Sequence, residues 1–137
     1  WIVGASEGLG RALAKKVAAA GAHVIVSARS EDRLKSLVEE IGELASFVTV
    51  DVSDRQAVED AAAQVGHVDG VIYLAGVYWP MKATEWDNEK ADLMGQINFL
   101  GGSRVVGSVM GQMVARDAGH VGLTGSLSGF RGLPGGD

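Results

Sequence analysis

The sequence has 137 residues, is 47% hydrophobic, carries a formal net charge of −5 and contains no cysteine. This length suits one hydrophobic core, so we expect a single domain or part of one. The acidic balance argues against a nucleic-acid-binding surface, and the lack of cysteine excludes disulfides and thiolate metal sites. No apolar stretch is long enough to span a bilayer, and the three histidines lack the spacing of metal ligands. We therefore expect a cytoplasmic protein that binds neither metal nor membrane.

Short β-rich runs alternate with longer segments of helical periodicity along the chain. The predicted strands are 1–3, 22–28, 46–50, 70–75 and 120–125, and the predicted helices lie near 9–20, 31–42, 54–65 and 88–116. Such alternation is typical of parallel strands joined by right-handed crossover helices. The second strand is a nearly continuous apolar run, as expected where helices cover both faces of a sheet. The sequence therefore predicts a doubly wound, three-layer α/β fold.

The second and third predicted helices each carry an apolar stripe and a candidate N-cap. In the second helix, Ser30 precedes a stripe formed by Leu34, Leu37, Val38 and Ile41. In the third helix, Ser53 and Gln56 have capping-box spacing, and the stripe is Val58, Ala61, Ala62 and Val65. Both patterns predict amphipathic helices packed on the sheet.

A glycine-rich segment, Gly4-Ala5-Ser6-Glu7-Gly8-Leu9-Gly10, lies between the first strand and the first helix. Glycines at a strand–helix turn let backbone N–H groups approach a pyrophosphate, and the helix dipole favours the anion. The spacing is GxxxGxG and differs from the GxGxxG dinucleotide fingerprint. The turn therefore predicts nucleotide binding, with an inert glycine turn as the alternative.

The second strand ends at Ala28-Arg29, with Arg33 one helical turn further on. An acidic residue at this position would bind a ribose 2′-hydroxyl, whereas arginine suits a 2′-phosphate. We therefore expect NADP(H) to be favoured over NAD(H). The alternative is that both arginines are solvated at the start of a helix.

Several motifs together resemble the short-chain dehydrogenase/reductase family. "VGASEGLG" resembles its TGxxxGxG turn, "SARS" the end of its second strand in NADP-preferring members, and "VDVSD" its adenine-side aspartate–valine pair. "YLAG" stands in place of NNAG, "INFLG" matches the helix motif N-x-x-G, and "GHVGLTGSLSGFRGLPG" matches the strand carrying the catalytic serine. The resemblance runs through the whole chain and implies the strand order 3-2-1-4-5, with the C-terminal part of the fold missing.

The resemblance also implies a cofactor site and its residues. The pyrophosphate and the adjoining ribose phosphate would lie against Gly4, Ser6, Gly8, Leu9 and Gly10. Arg29 would lie beside the 2′-phosphate, Asp51 and Val52 would contact adenine, and Ala75 and Gly76 would line the central stretch of the cofactor. Glu7 belongs to the same turn. Many NADP-binding members carry a basic residue at this position, and a carboxylate there would repel the 2′-phosphate.

Two catalytic residues are implied by the same resemblance. Ser126 would hydrogen-bond the reacting carbonyl oxygen, and Asn98 would hold a water in a proton relay. A serine hydroxyl is too weak an acid to protonate an alkoxide alone. The family uses a tyrosine followed four residues later by a lysine, and that tyrosine would fall two residues after Asp137. We therefore expect residues 1–137 to be a single NADP(H)-binding domain that is incomplete at both ends.

The function that the resemblance implies is hydride transfer between NADP(H) and a carbonyl or secondary alcohol, in a protein that is a homo-oligomer when intact. A non-catalytic dinucleotide-binding or sensing protein of the same fold is the alternative, which the altered "YLAG" supports. An extended-fold epimerase or dehydratase would favour GxxGxxG, and a methyltransferase-like protein would want an acidic residue after the second strand. Tyr78, Trp79 and Phe130-Arg131 are candidates for one wall of a substrate pocket.

Overall fold

The computed structural model describes residues 1–131, which form a parallel β-sheet with helices on both faces. The strands are β1 Ile2–Val3, β2 Val24–Ala28, β3 Ala45–Thr49, β4 Gly70–Tyr73 and β5 His120–Leu123. The helices are α1 Gly8–Ala19, α2 Glu31–Ile41, α3 Arg55–Val65, α4 Asn88–Met94 and α5 Gly102–Ala115. Three-residue 3₁₀ turns cover Ala83–Glu85 and Leu127–Gly129.

The five strands are arranged in the order β3-β2-β1-β4-β5, and all four pairings are parallel. The predicted doubly wound α/β fold and its strand order are therefore confirmed. In register, Ile2 lies between Val26 and Ile72. The order reverses direction at β1, so the carboxyl ends of β1 and β4 flank the switch point where ligands bind in this class of fold.

The sheet separates two hydrophobic clusters. One is buried beneath α1 and α2 and includes Ala14, Ala18, Leu34 and Leu37. The other lies against α3 and α5 and is built on residues such as Val58, Val105, Val109 and Met113. The small residues of α1 let that helix approach the sheet closely, which brings its N-terminus near the end of β1.

The last predicted helix, 88–116, differs from the structure in its interior. The helical path runs from α4 through a π-helical segment, Gly95–Gly101, into α5. Two residues in these wider turns accept hydrogen bonds from outside the helix. The Ile97 carbonyl accepts the Tyr73 hydroxyl, and the Asn98 side chain accepts the Val77 N–H. The predicted strands end two residues late at both β4 and β5, where the chain already turns towards the site.

Ser30 is the N-cap residue of α2 as predicted, but the capping prediction for α3 was wrong. Ser30 occupies the N-cap position of α2 but makes no side-chain capping bond. Asp54 caps α3 in place of Ser53, its carboxylate accepting the N–H groups of Gln56 at 2.8 Å and Ala57 at 3.3 Å. The Ser53 hydroxyl instead donates to Asp51 at 2.6 Å, so it is not available to the helix.

Within residues 1–131, no helix combines the length and apolar character needed to cross a bilayer. The same part of the chain brings together no group of three or more side chains suited to holding a metal ion.

Candidate cofactor and catalytic site

A cavity of about 370 Å³ opens at the carboxyl ends of the central strands, where the strand order reverses. Its volume falls within the usual range for small-molecule and cofactor sites. Most of the cofactor residues implied by the sequence line it: Gly4, Ser6, Glu7, Leu9, Gly10, Arg29, Asp51, Val52, Ala75 and Gly76. Gly8 is the one predicted cofactor residue that does not line this cavity.

The glycine turn after β1 is packed so tightly that two of its glycines have no room for a side chain. A Cβ on Gly4 would lie 2.7 Å from the carbonyl carbon of Leu74, and Gly4 has a φ of +94°. A Cβ on Gly10 would lie 2.9 Å from the Cα of Ala5 and closer still to the Gly4 carbonyl oxygen. The turn is therefore fixed by close backbone packing at both glycines.

The N-terminus of α1 faces the same cavity. Its first turn holds Gly8, Leu9 and Gly10, whose N–H groups have no partner within the helix because they precede its first hydrogen bond. Glu7 occupies the N-cap position but provides no side-chain capping bond. These free donors and the positive end of the helix dipole make the turn suited to an anionic group.

The rim of the cavity carries two arginines in different environments. Arg33 forms an ion pair with Glu7, which joins the start of α2 to the glycine turn. Arg29 also lines the cavity, and no carboxylate of residues 1–131 lies within ion-pairing distance of it. The ion pair therefore compensates the charge of Glu7 at the rim of the cavity.

The start of α2 is held in place by α1. Arg11 donates to the Arg33 carbonyl at 3.1 Å and to the Ser36 hydroxyl at 3.2 Å, and it also pairs with Glu40. These bonds fix the α2 turn on which Arg33 is carried.

Asp51 forms a closed turn at the end of β3. Its Oδ1 accepts the Ser53 N–H at 3.0 Å and the Ser53 hydroxyl at 2.6 Å. Partial burial raises the pKa of Asp51, but the Ser53 bonds and the charge of Arg29 outweigh it, so the net pKa is lowered. The carboxylate is therefore ionised at neutral pH and lies on the cavity wall.

Asn98 is exposed, but both polar atoms of its side chain are hydrogen-bonded. It lies in the π-helical segment, where its Oδ1 accepts the Val77 N–H and its Nδ2 donates to the Val77 carbonyl, both at 2.8 Å. A Cβ on Gly76 would lie 3.4 Å from the Asn98 Oδ1. Asn98 therefore pairs with the backbone just after β4, next to the cavity wall formed by Ala75 and Gly76.

Tyr73 replaces the first asparagine of the family motif and is almost fully buried, with 3% of its surface exposed. Its hydroxyl donates to the Ile97 carbonyl at 2.6 Å. Burial raises the pKa of Tyr73 to about 12, against a smaller lowering by the nearby Arg104 charge. The side chain of Tyr73 therefore stays neutral and joins β4 to the π-helical segment that carries Asn98.

Ser126 lies apart from the cavity lining. It caps the 3₁₀ turn Leu127–Gly129, with its Oγ 2.7 Å from the Ser128 Oγ and accepting the Ser128 N–H at 3.2 Å. Its side chain is exposed, as are those of Leu127 and Phe130. Residues 132–135 of the motif that predicted this serine lie outside the described residues.

The structure thus brings the predicted cofactor residues together, while Asn98 and Ser126 lie outside the cavity lining. Sequence reasoning missed Thr124, which lines the cavity and whose N–H donates to the Tyr73 carbonyl at 3.2 Å. Its position directly after β5 was a usable signal, since ligands bind beyond the carboxyl ends of such strands.

Comparison with known proteins identifies the family that the sequence motifs resemble. A family model described as short chain dehydrogenase matches residues 1–137. An uncharacterised oxidoreductase of Staphylococcus epidermidis is 31% identical over 133 residues, which cover 94% of this chain and 58% of that protein. This chain therefore spans about three-fifths of the length of that relative.

Solved structures that are similar to this chain include two of serine dehydrogenase. Serine dehydrogenase from Escherichia coli matches with a TM-score of 0.93 and 27% identity, covering 98% of this chain and 65% of that one. A closed form of serine dehydrogenase complexed with NADP⁺ matches with a TM-score of 0.93 and 28% identity, covering 99% of this chain and 58% of the other.

Proposed function

Because this chain belongs to the short-chain dehydrogenase family of oxidoreductases, we propose that it forms the cofactor-binding part of an enzyme that uses NADP(H) to interconvert a carbonyl and a secondary alcohol. The observation that carries the proposal is the cavity at the switch point, which gathers ten of the eleven predicted cofactor residues: Gly4, Ser6, Glu7, Leu9, Gly10, Arg29, Asp51, Val52, Ala75 and Gly76.

The residues present fit a dinucleotide. Any Cβ at Gly4 or Gly10 would collide with backbone, so both positions require glycine for the tight turn and close strand–helix packing that a dinucleotide-binding turn uses. The first N–H groups of α1 would donate to the phosphate oxygens, and Asp51 and Val52 would form the wall beside the adenine. When bound, the nicotinamide ring of the cofactor supplies or accepts the hydride.

The preference for NADP(H) is supported by the charges at the rim. Arg29 presents a planar guanidinium that matches a 2′-phosphate, and Arg33 neutralises the nearby Glu7. No carboxylate follows β2 directly, where one would bind an unphosphorylated ribose. The similar serine dehydrogenase structure that contains NADP⁺ is consistent with this choice.

The catalytic proposal assigns separate roles to Ser126 and Asn98. The Ser126 hydroxyl, now bonded to Ser128, would turn to donate to the substrate carbonyl oxygen and polarise it. Asn98 has its side chain committed to Val77, so its part in a proton relay would fall to its backbone carbonyl and an ordered water. A stronger acid than serine must complete the proton transfer, and family resemblance implies a tyrosine beside a lysine.

The first test is nucleotide binding. The full-length protein would be titrated with NADPH and with NADH, followed by calorimetry, and the titrations repeated with Arg29→Ala. We expect NADPH to bind more tightly, and Arg29→Ala to weaken NADPH about ten-fold or more while changing NADH little. Arg55→Ala is the matched control, because Arg55 is an exposed arginine at the start of α3 that does not line the cavity.

The binding proposal fails if neither nucleotide binds at about 50 μM, which corresponds to a free energy of about −6 kcal/mol. The preference for NADP(H) fails if Arg29→Ala and Arg55→Ala have equal effects.

The alternative is a dinucleotide-binding protein without catalysis. It is favoured by one observation, that Ser126 lies on an exposed turn outside the cavity lining. A screen of ketone and aldehyde substrates with NADPH, followed by absorbance of the reduced cofactor, separates the two functions. Turnover that is lost in Ser126→Ala supports the enzyme, and tight binding without turnover supports the alternative.

The cytoplasmic location and the homo-oligomeric state that the sequence led us to expect stay predictions.

A further inference from the structure

Arg104 lies on α5 and reaches back to the loop that follows β3. Its Nη1 donates to the carbonyl oxygens of Ser53 at 2.8 Å and Val52 at 3.2 Å. Its Nη2 donates to the Oε1 of Gln96 at 3.0 Å. One partly buried guanidinium therefore joins two successive loop carbonyls to the helix that also carries Asn98.

The loop that Arg104 holds forms one wall of the cavity. Asp51 and Val52 line the cavity, whereas Arg104 does not. The side chain of Val52 is 5% exposed, and a Cβ on Gly101 would lie 3.0 Å from its Cγ2. The loop is thus fixed from three sides, by the Asp51–Ser53 turn, by close packing on Gly101 and by Arg104.

We propose that Arg104 is a positioning residue for the adenine-side wall of the cofactor site, an inference that rests on the proposed dinucleotide-binding function. Without the guanidinium, the Val52 and Ser53 carbonyls must find water as a partner, and the loop gains freedom that binding has to remove. The cost would fall on the adenine half of a ligand, because the proposed function places adenine beside Asp51 and Val52.

The chain offers a matched control in Arg116, directly after α5. Arg116 also donates to a backbone carbonyl of a preceding loop, that of Val68, and contacts Gln112 at 3.4 Å and His67 at 3.1 Å. It therefore stabilises the molecule by the same chemistry as Arg104. It holds the loop before β4, however, at the opposite end of the sheet from the cavity.

The test is calorimetric titration of the full-length protein and of Arg104→Met, Arg104→Lys and Arg116→Met. The probes are adenosine 2′,5′-bisphosphate for the adenine half, nicotinamide mononucleotide for the other half, and NADPH. We expect Arg104→Met to weaken the bisphosphate and NADPH about ten-fold while leaving the mononucleotide unchanged. Arg104→Lys should weaken the bisphosphate and NADPH by about three-fold, less than Arg104→Met does, since an ammonium satisfies fewer of these acceptors than a guanidinium.

Thermal unfolding of each variant separates positioning from stability. Arg104→Met and Arg116→Met should both lower Tm, but only the Arg104 variants should lose affinity for the adenine probes. The inference is overturned if Arg116→Met weakens binding of those probes as much as Arg104→Met does. It is also overturned if Arg104→Lys binds them as tightly as the wild type at a temperature where both proteins are folded. If the wild-type protein binds neither NADPH nor the bisphosphate, the proposed function itself fails, and this inference fails with it.

Discussion

The glycine turn after β1 and the loop after β5 both lie at the carboxyl edge of the sheet, yet they are built differently. In the first, Gly4 and Gly10 press against backbone, and Ala5 is fully buried. In the second, Leu127 and Phe130 are 86% and 93% exposed, and the Ser126 hydroxyl bonds to Ser128 within the same short turn.

The difference separates residues that are fixed by packing from residues that serve chemistry. At the glycine turn, a single added methyl group must displace backbone, so the fold itself requires glycine at two positions that line the cavity. At the Ser126 loop, a side chain can change without disturbing the core. A substitution in the glycine turn should therefore mainly lower stability, whereas a substitution of Ser126 should mainly lower activity.

The largest effect on the fold is expected from Gly10→Ala. The added Cβ would lie within 2.9 Å of the Ala5 Cα, and backbone must move to admit it, so we expect the free energy of unfolding to fall by about 3 kcal/mol. Gly8→Ala is the control: its φ is +55° but no atom lies within 4 Å of the added Cβ, so about 1 kcal/mol should be lost. Urea unfolding measures both, and equal losses would contradict the packing argument.

Tyr73→Phe tests the buried contact that links β4 to the Asn98 segment. The substitution leaves the buried Ile97 carbonyl without its partner, and about 1 to 2 kcal/mol of unfolding free energy should be lost at pH 7.

The same variant gives a pH test. The pKa of Tyr73 is raised to about 12 in the folded protein, against about 10 in the unfolded chain, so its contribution is complete below pH 10 and is lost as the pH rises towards 12. Chemical unfolding at several pH values should show the wild type losing more stability over this interval than Tyr73→Phe. Parallel pH profiles for the two proteins would mean that Tyr73 titrates normally.

A smaller effect is expected from Glu7→Gln, which removes the partner of Arg33 at the rim. The freed guanidinium and the lost negative charge should tighten NADPH relative to NADH by about two- to three-fold at low salt, and less at high salt. Glu85→Gln makes the same charge change near Lys82, outside the cavity, and serves as the control. A shift of equal size in both variants would assign the effect to net charge rather than to the rim.

Ser126→Ala should have the smallest effect on the fold. Its side chain is exposed and its bonds are local, so the free energy of unfolding should change by less than about 0.5 kcal/mol and NADPH affinity should be unchanged. Carbonyl turnover, by contrast, should fall by about 100-fold or more. Ser128→Ala is the control, and a similar loss of turnover there would mean that the turn, rather than the Ser126 hydroxyl, is required.

The sequence by itself determined the strands and helices, apart from the π-helical interior of the last helix, and about half of the cavity lining. Apolar periodicity identified the strands and helices, since each element buries one face or both, and the glycine spacing identified the turn that admits no side chain. The residue that follows the second strand pointed to Arg29, and family resemblance supplied the strand order and picked out Asp51 and Gly76. All three lie beyond the carboxyl ends of parallel strands, which share one edge of the sheet.

Only the tertiary structure decided which polar groups meet across that edge. Whether Ser53 or Asp54 caps α3 depended on Asp51 taking the Ser53 hydroxyl. The contacts of Arg104 with Ser53 and of Tyr73 with Ile97 join residues 51 and 24 positions apart in the chain. Such pairs are set by how the crossover helices pack on the sheet, so no local sequence pattern specifies them.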